Sequence, residues 1–430
     1  MTFTEAEQLL LSLTNFPRQE FMTDPKRNSA YMKRLQFFLN ILGNPEKKIP
    51  HYIHVTGTSG KGSVCMMLES ILRASGKKTG LNMSPHIGVI TERWQVNGRA
   101  ISKKRFVELV QELKPFFDIY LNTSPYEMIS YFELMTAIAF YEFAKQKVEW
   151  AVMEVGLGGL YDPANLMPHK DVAVITNIGT DHADLMGTKA QIAKEKSGII
   201  RHRCHVFTGE RDKKMLSIIQ KETTKECCQL SVVSSKSCTV TEQSLDGLAF
   251  SYDNERYSLP VLGKHQTENA MLSIDIAKHL ALPDHAITKG LSSIRLPHRM
   301  EIISKNPLII IDGAHNPEKM KTTIETTNQI LKSKIYNLHL VVAFSHDKPW
   351  KRMIKQLASL QPKSVICTRQ TINPFRKVAD PKDIAKEFRR LCPNAHITQC
   401  FDPSDAKYLV QKNCKKHDLT LITGSMFLNV

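Results

Sequence analysis

Between a β-branched run at His51–Thr56 and a helical pattern at Val64–Ala74 the chain reads Gly57-Thr58-Ser59-Gly60-Lys61-Gly62-Ser63. Glycines permit positive φ and close backbone approach, so successive N–H groups of such a loop can turn onto phosphate oxygens. The helix that follows adds the positive end of its dipole. Lys61 supplies a mobile cation for the outer phosphates, and Ser63 a hydroxyl that can face a metal ion or a phosphate. The loop is shorter than the usual GxxxxGK spacing. On its own it leaves kinase, GTPase and ligase chemistry open, beside a plain Gly/Ser turn.

Further groups fall where a parallel sheet opens its ligand crevice. Glu154 lies in the apolar run Trp150–Val155, where a carboxylate is costly unless it is paired or bound to a metal. Hard oxygen donors suit Mg²⁺. His182 follows the strand pattern at Val172–Ile178, and Lys196 lies in a helix beginning near Thr188, spaced to reach back to the same edge. Asp312 and His315 follow a strand at Pro307–Ile311. Each has a structural alternative: an ion pair for Glu154, a helix cap for His182 or Asn269, an exposed cation for Lys196 or Arg299.

The elements that would hold these groups alternate between strand and helix. After a helical Ser29–Leu42, stopped by Gly43-Asn44-Pro45, come the strand at His51 and the helix after the loop. A helix at Phe132–Lys145, strands at Val148–Val155 and Val172–Ile178, and a helix at Thr188–Ile200 continue the pattern. Strands apolar on both faces and separated by helices predict an α/β fold with a doubly wound parallel sheet. Residues 204–262 turn to short β-like runs rich in Ser and Thr, as expected of an extension beside that sheet. A second alternating series runs from Pro307 to Thr423 and predicts a smaller Rossmann-like α/β domain. The expected domains are therefore 1–296, with the phosphate loop, and 297–430.

Composition narrows the classes. With 430 residues, two or three domains are expected, and 42% hydrophobic residues are enough for sizeable cores. No stretch reads as a membrane helix or a secretory signal. Nine scattered cysteines without a Cys-x-x-Cys pair point to reduced thiols in a cytoplasm. The net charge of +16 is spread along the chain without a basic arm or a nucleic-acid motif, which suits small polyanions better than nucleic acid.

The loop spacing is the one used by the Mur ligase superfamily, and most of the chain resembles one branch, the folylpolyglutamate synthase/dihydrofolate synthase family. The resemblance rests on Leu42-Gly43-Asn44-Pro45, Ser84-Pro85-His86, Thr91-Glu92-Arg93, Val96-Asn97-Gly98 and Tyr131-Phe132-Glu133. It continues in Glu154-Val155-Gly156-Leu157-Gly158-Gly159, Thr180-Asp181-His182, Glu195-Lys196-Ser197-Gly198-Ile199 and Gly263-Lys264-His265-Gln266 with Asn269. Asp312-Gly313-Ala314-His315-Asn316-Pro317, Asp347-Lys348 and Gly424-Ser425 complete it.

The resemblance implies an ATP- and Mg²⁺-dependent amide ligase that phosphorylates a carboxylate and then lets the amine of L-glutamate displace phosphate. It implies ATP held by Gly57 through Ser63 and by Asn269, Arg299, Asp312 and His315, clamped where two domains close. It places Mg²⁺ on Ser84, Glu154 and His182, with room for a second metal, and makes Lys61, Lys196 and His182 the catalytic groups, Lys196 as a carbamate. The expected protein is a cytoplasmic monomer with dihydropteroate or a folate as acceptor.

Four departures from the family pattern weaken the substrate assignment. Ser59 stands where the family usually has Asn, and Leu160-Tyr161-Asp162-Pro163 where it has Arg-Leu-Asp-Ala. Leu296-Pro297-His298-Arg299 keeps only the Arg of a Trp-Pro-Gly-Arg element, and Tyr31-Met32-Lys33-Arg34 replaces a Gly-Leu-Glu-Arg-like element associated with the pteridine. They keep alive a Mur-type ligase with a non-folate acceptor. A nucleotide-binding sensor without ligation is the non-enzymatic alternative, against which Lys61, Glu154, His182 and Lys196 all argue.

Overall fold

The computed structural model describes residues 1–15, 28–180, 187–234, 237–333, 336–372 and 377–428. They form two compact units, Met1–Ser237 with Glu268–Ser293, and Cys238–Thr267 with Ile294–Val430.

The first unit opens with helices α1 (Phe3–Ser12) and α2 (Asn28–Ile41). Strand β1 (His51–Thr56) leads into α3 (Lys61–Ala74), and β2 (Thr79–Asn82) into the short strands β3 (Trp94–Val96) and β4 (Arg99–Ala100). Helices α4 (Lys103–Thr123) and α5 (Tyr131–Lys145) precede β5 (Trp150–Glu154) and β6 (Val172–Ile175). Then follow α6 (Lys189–Ser197), β7 (His205–Thr208), α7 (Lys213–Lys225) and β8 (Gln229–Val232).

The sheet order is β4-β3-β2-β5-β1-β6-β7-β8. Pairings from β2 through β8 are parallel, and β3 and β4 add an antiparallel edge. From β1 the chain runs first to one side of the sheet and later to the other. The loop after β1 therefore opens at the switch point, where open α/β sheets bind ligands. Strands β5 and β6 are buried throughout, and β1 at all but His51, because helices cover both faces. Phe38, Tyr52, Trp94, Phe140 and Phe143 fill one face; Ile175, Ile192, Val206 and Ile219 fill the other.

Residues 204–262 differ from the sequence-based expectation. Their first part, β7–α7–β8, is a regular continuation of the main sheet, and its Thr-rich helix buries only Met215, Ile219 and Thr223. The second part forms β9 (Cys238–Ser244), β10 (Gly247–Tyr252) and β11 (Glu255–Leu259), a separate antiparallel sheet that belongs to the second unit. Leu262 is part of that unit's core, Leu245 packs on it, and Gln243 donates to Gln329 at 2.6 Å. The expected break at Leu296 lies close to the division at Ser293–Ile294, but the chain also leaves the first unit at Ser237 and re-enters it at Glu268.

Helices α8 (His265–His279) and α9 (Asp284–Ser292) follow. The rest of the second unit comprises β12 (Glu301–Lys305), β13 (Leu308–Ile311), α10 (Pro317–Ser333), β14 (Asn337–Val342) and α11 (Trp350–Ala358). It ends with β15 (Ser364–Cys367), α12 (Pro381–Leu391), β16 (His396–Gln399), α13 (Pro403–Asn413) and β17 (Asp418–Thr423). Its sheet order is β12-β13-β17-β14-β15-β16, parallel except for edge strand β12.

The phosphate-loop helix is backed by α9. Ser70 Oγ donates to the Gly290 carbonyl at 2.9 Å, and a Cβ on Gly290 would stand 2.6 Å from Ile71 Cα. The two backbones touch, so nothing but glycine fits. Gly290→Ala is expected to cost about 1–3 kcal/mol, read as a lower thermal midpoint. An unchanged midpoint would show that α3 and α9 do not pack through this face.

Candidate active site

Neighbouring segments pin the loop after β1. Gly57 has φ +147°, and a Cβ there would lie 1.8 Å from Thr176 Oγ1. Thr176 Oγ1 donates to the Ser59 carbonyl at 2.6 Å, and the Ser59 N–H donates to Asn177 Oδ1 at 2.9 Å. The Thr58 N–H reaches the Asn177 carbonyl, and Thr58 Oγ1 accepts from the Gly179 N–H at 2.7 Å. Gly60, at φ +84°, faces α8: a Cβ would come within 2.4 Å of Asn269 Oδ1. Asn269 thus packs on the loop although it is far away in sequence.

Two lysines meet beneath this loop. Lys61 Nζ donates to the Gly57 carbonyl at 2.9 Å, and Lys196 Nζ donates to the same oxygen at 3.1 Å. Lys196 is only 4% exposed, which removes the reading of it as a surface cation. Glu154, 6% exposed at the end of β5, accepts the Ser84 N–H at 3.0 Å. Cys65 on α3 feels both Glu154 and Lys61, although burial is the chief reason its thiol pKa lies well above the usual value. Lys61, Lys196, Glu154 and Ser84 are therefore brought to one edge of the sheet. His182 lies outside the described residues.

These donors suit a hard divalent cation. Glu154 offers a buried carboxylate, Ser84 an adjacent hydroxyl, and Mg²⁺ needs few protein ligands because it keeps several waters. Among the described residues no cluster of three or more His, Cys, Asp or Glu side chains forms an alternative metal cage.

The segment after Ser84 is braced by groups that the sequence reading did not single out for this role. Glu92 accepts the N–H groups of Ile87, Gly88 and Val89. Buried Arg93 donates through Nε to His86 Nδ1 at 3.0 Å, and its guanidinium lies over the Tyr131 ring at 6.0 Å. After Glu154, Asp162 accepts the Gly156 and Ala164 N–H groups at 2.9 and 3.0 Å. Burial outweighs these bonds and pushes its pKa up to about 6. Leu160, in place of the family's Arg, packs on Gly198, where a Cβ would stand 2.4 Å from the leucine Cβ. Arg34, in the variant N-terminal element, is buried in a 2.7 Å ion pair with Glu133.

The second unit carries its own polar cluster at the end of β13. Asp312 accepts from the Met300 and Ala314 N–H groups, both at 3.0 Å, and from Thr323 Oγ1 at 2.6 Å. Arg299 Nη1 donates to the His298 carbonyl at 3.1 Å and lies 3.3 Å from where a Gly313 Cβ would be. His315 pairs through Nδ1 with the Gly313 carbonyl and through Nε2 with Lys319 Nζ, at 2.8 and 3.0 Å. Arg299, Asp312 and His315 thus meet, with Asp312 holding the other two loops in place. Lys319 was missed, although its position four residues after His315 at a helix start was a usable signal. Asn177 lacked any such signal beyond following a strand.

Residues 55–277 match the Mur ligase middle domain, and residues 298–426 match the Mur ligase glutamate ligase domain. The dihydrofolate synthase/folylpolyglutamate synthase of Bacillus subtilis is 32% identical, the alignment covering 92% of either chain. The crystal structure of folylpolyglutamate synthase from Thermotoga maritima superposes with a TM-score of 0.83 at 28% identity, covering 99% of this chain and 95% of that one. A bifunctional folylpolyglutamate synthase/dihydrofolate synthase from Yersinia pestis, complexed with AMPPNP and a Mn ion, gives 0.80 at 26% identity, covering 100% and 96%.

Two measurements test the site's geometry. Gly60→Ala meets both a left-handed φ and the Asn269 side chain, whereas Gly76, at φ +87°, has nothing within 4 Å of its Cβ position. Either substitution should cost about 1–2 kcal/mol of stability, but only Gly60→Ala should weaken binding of a fluorescent ATP analogue, by about tenfold or more. Equal affinities would contradict the loop assignment. The second concerns His86, whose pKa burial and the neighbouring Arg93 charge push down from 6.5 to about 4. The unfolded chain binds a proton near pH 6.5 that the folded chain refuses until about pH 4. Stability should therefore fall as pH drops through that window, by about 3 kcal/mol at most. His86→Gln keeps an acceptor for Arg93 and does not titrate, so urea unfolding of this variant should lack that part of the slope. Parallel curves for both proteins would refute it.

Proposed function

The chain belongs to the dihydrofolate synthase/folylpolyglutamate synthase family of Mur ligases, and from that footing we propose that it joins L-glutamate to a folate-type carboxylate in a reaction driven by ATP. The observation that carries this reading is the meeting of Lys61 and Lys196 on the Gly57 carbonyl, beside Glu154 and Ser84. Such an edge is built to hold a triphosphate and its metal, and the relatives' ATP analogue and Mn ion support ATP and a divalent cation as its ligands.

An acceptor carboxylate oxygen attacks the γ-phosphorus, ADP leaves, and an acyl phosphate forms. The amine of glutamate adds to the acyl carbon, loses a proton, and expels phosphate. The loop amides from Gly57 to Ser63 and the Lys61 ammonium hold the phosphates and meet the charge that grows on them. Asn269, Arg299, Asp312 and His315 are assigned to the nucleotide. Ser84, Glu154 and His182 are assigned to Mg²⁺, which when bound neutralises charge on the transferring group. Lys196 is assigned a carbamate. Its burial and the adjacent Lys61 cation disfavour an ammonium there and leave the neutral amine that carbamylation requires, and the Lys61 cation would then face the carbamate.

We place the protein in the cytoplasm as a monomer; among the described residues no helix is long and apolar enough to cross a membrane. Acceptor choice has a second reading. Leu160 packed on Gly198 replaces a cation of the family pattern, which favours a less anionic or non-folate acid.

A phosphate-release assay over dihydropteroate, reduced folates, unrelated small acids and several amino acids decides between them. Release is expected with ATP, glutamate and dihydropteroate or a folate, and Lys61→Met should lower it about 100-fold or more. Release only with an unrelated acid would transfer the assignment to that acceptor. No release with any acceptor would overturn ligation.

A further inference from the structure

We propose that Lys170 is a positioning residue for phosphoryl transfer, tying the loop that follows Glu154 to the end of the helix that carries Lys196. The inference rests on the ligase reading above for its kinetic consequence, but not for its geometry.

Lys170 stands just before β6 and is only 5% exposed. Its Nζ donates to the Ile199 carbonyl at 2.6 Å and to Asn165 Oδ1. Asn165 is also buried, and its Nδ2 donates to the Leu160 carbonyl at 2.9 Å and the Gly198 carbonyl at 3.0 Å. Together the two side chains satisfy three main-chain carbonyls. Two of these, at Gly198 and Ile199, terminate α6, where helical carbonyls lack intrahelical partners. The third, at Leu160, belongs to the loop leaving β5.

That loop lies directly on the backbone of Lys196. A Cβ on Gly159 would stand 2.8 Å from the Glu195 carbonyl and 3.0 Å from the Lys196 carbonyl, and the Leu160 N–H donates to the Glu195 carbonyl at 2.9 Å. The carboxylate of Glu154 is thus linked to the amine of Lys196 through a short stretch of main chain, and the Lys170–Asn165 pair closes its far side. The charged or titratable groups acting on Lys170 are Asp162, Arg201 and Cys204, and it acts in turn on His54. Among the described residues no carboxylate forms a direct ion pair with it; it donates to a carbonyl and an amide oxygen. A buried amine is costly, and an apolar side chain of like length would fill the space. What methionine cannot supply is the N–H donors that fix the Ile199 carbonyl and Asn165.

The test uses the full-length protein with Lys170→Met, Asn165→Ala and the double substitution. Each is assayed for its thermal midpoint, for kcat and the KM for ATP, and for Mn²⁺ binding in the presence of AMPPCP, followed by electron paramagnetic resonance without turnover. For folded Lys170→Met we expect kcat to fall about 10- to 100-fold, with the KM for ATP within about threefold. Mn²⁺ should bind about tenfold more weakly. Asn165→Ala removes the other half of the clamp and should show the same pattern, which keeps the test alive if Lys170→Met does not fold. The double variant should be no worse than the worse single one, because one clamp is lost only once. Wild-type kcat and Mn²⁺ affinity in folded single variants, or losses that multiply in the double, would overturn the proposal. A wild-type protein that turns over no acceptor would instead sink the ligase reading, leaving the Mn²⁺ measurement to judge the clamp.

Discussion

One carbonyl oxygen, that of Gly57, accepts hydrogen bonds from the Nζ atoms of two lysines far apart in sequence, Lys61 and Lys196. Keeping both as ammonium ions at one edge would be unfavourable; the proposed carbamate on Lys196, the nearby Glu154 and a bound triphosphate would each relieve it. The constraint reaches into the backbone. Gly57 can present its carbonyl this way only because it has no Cβ, and Thr176, which would meet that Cβ, instead anchors the Ser59 carbonyl.

Around this point the groups proposed to contact ligand are distinct from the groups that hold them. Glu92 and Arg93 shape the segment after Ser84, and Asp162 shapes the turn after Glu154. In the second unit Asp312 gathers the Met300 and Ala314 amides, so that Arg299 and His315 project from a fixed frame. Motif residues and framing residues are interleaved within a few positions of one another, which is why the acceptor-side departures alter side chains without dissolving the loops that carry them.

Much of this was legible in the sequence. The strand at His51–Thr56 and the helix at Pro381–Leu391 have the bounds that their residue patterns suggest, because apolar periodicity and a proline at a helix start are local signals. Helix α4 was overlooked: its opening Lys103-Lys104-Arg105 reads as surface charge, although Phe106, Leu109, Val110 and Leu113 repeat at helical spacing and are buried. The packing of the excursion at Cys238–Thr267 with the second unit was not legible, because short Ser- and Thr-rich strands do not reveal which core they cover. Least legible were the buried lysines. Lysine is usually exposed, so neither the depth of Lys196 nor the clamp built on Lys170 follows from residue type. The packing of Asn269 on Gly60 is likewise a product of topology, not of neighbouring sequence.

On the reading proposed above, the edge around Gly57 makes an activated carboxyl rather than merely binding a nucleotide. The most direct measurement follows oxygen-18 from the carboxylate of a labelled acceptor through one round of ligation with glutamate and ATP. Attack of that carboxylate on the γ-phosphorus, followed by displacement by the amine, leaves one acceptor oxygen in the released phosphate. Labelled phosphate formed in step with the amide is the predicted result; amide formed with unlabelled phosphate, or with the label in a nucleotide product, would contradict the account.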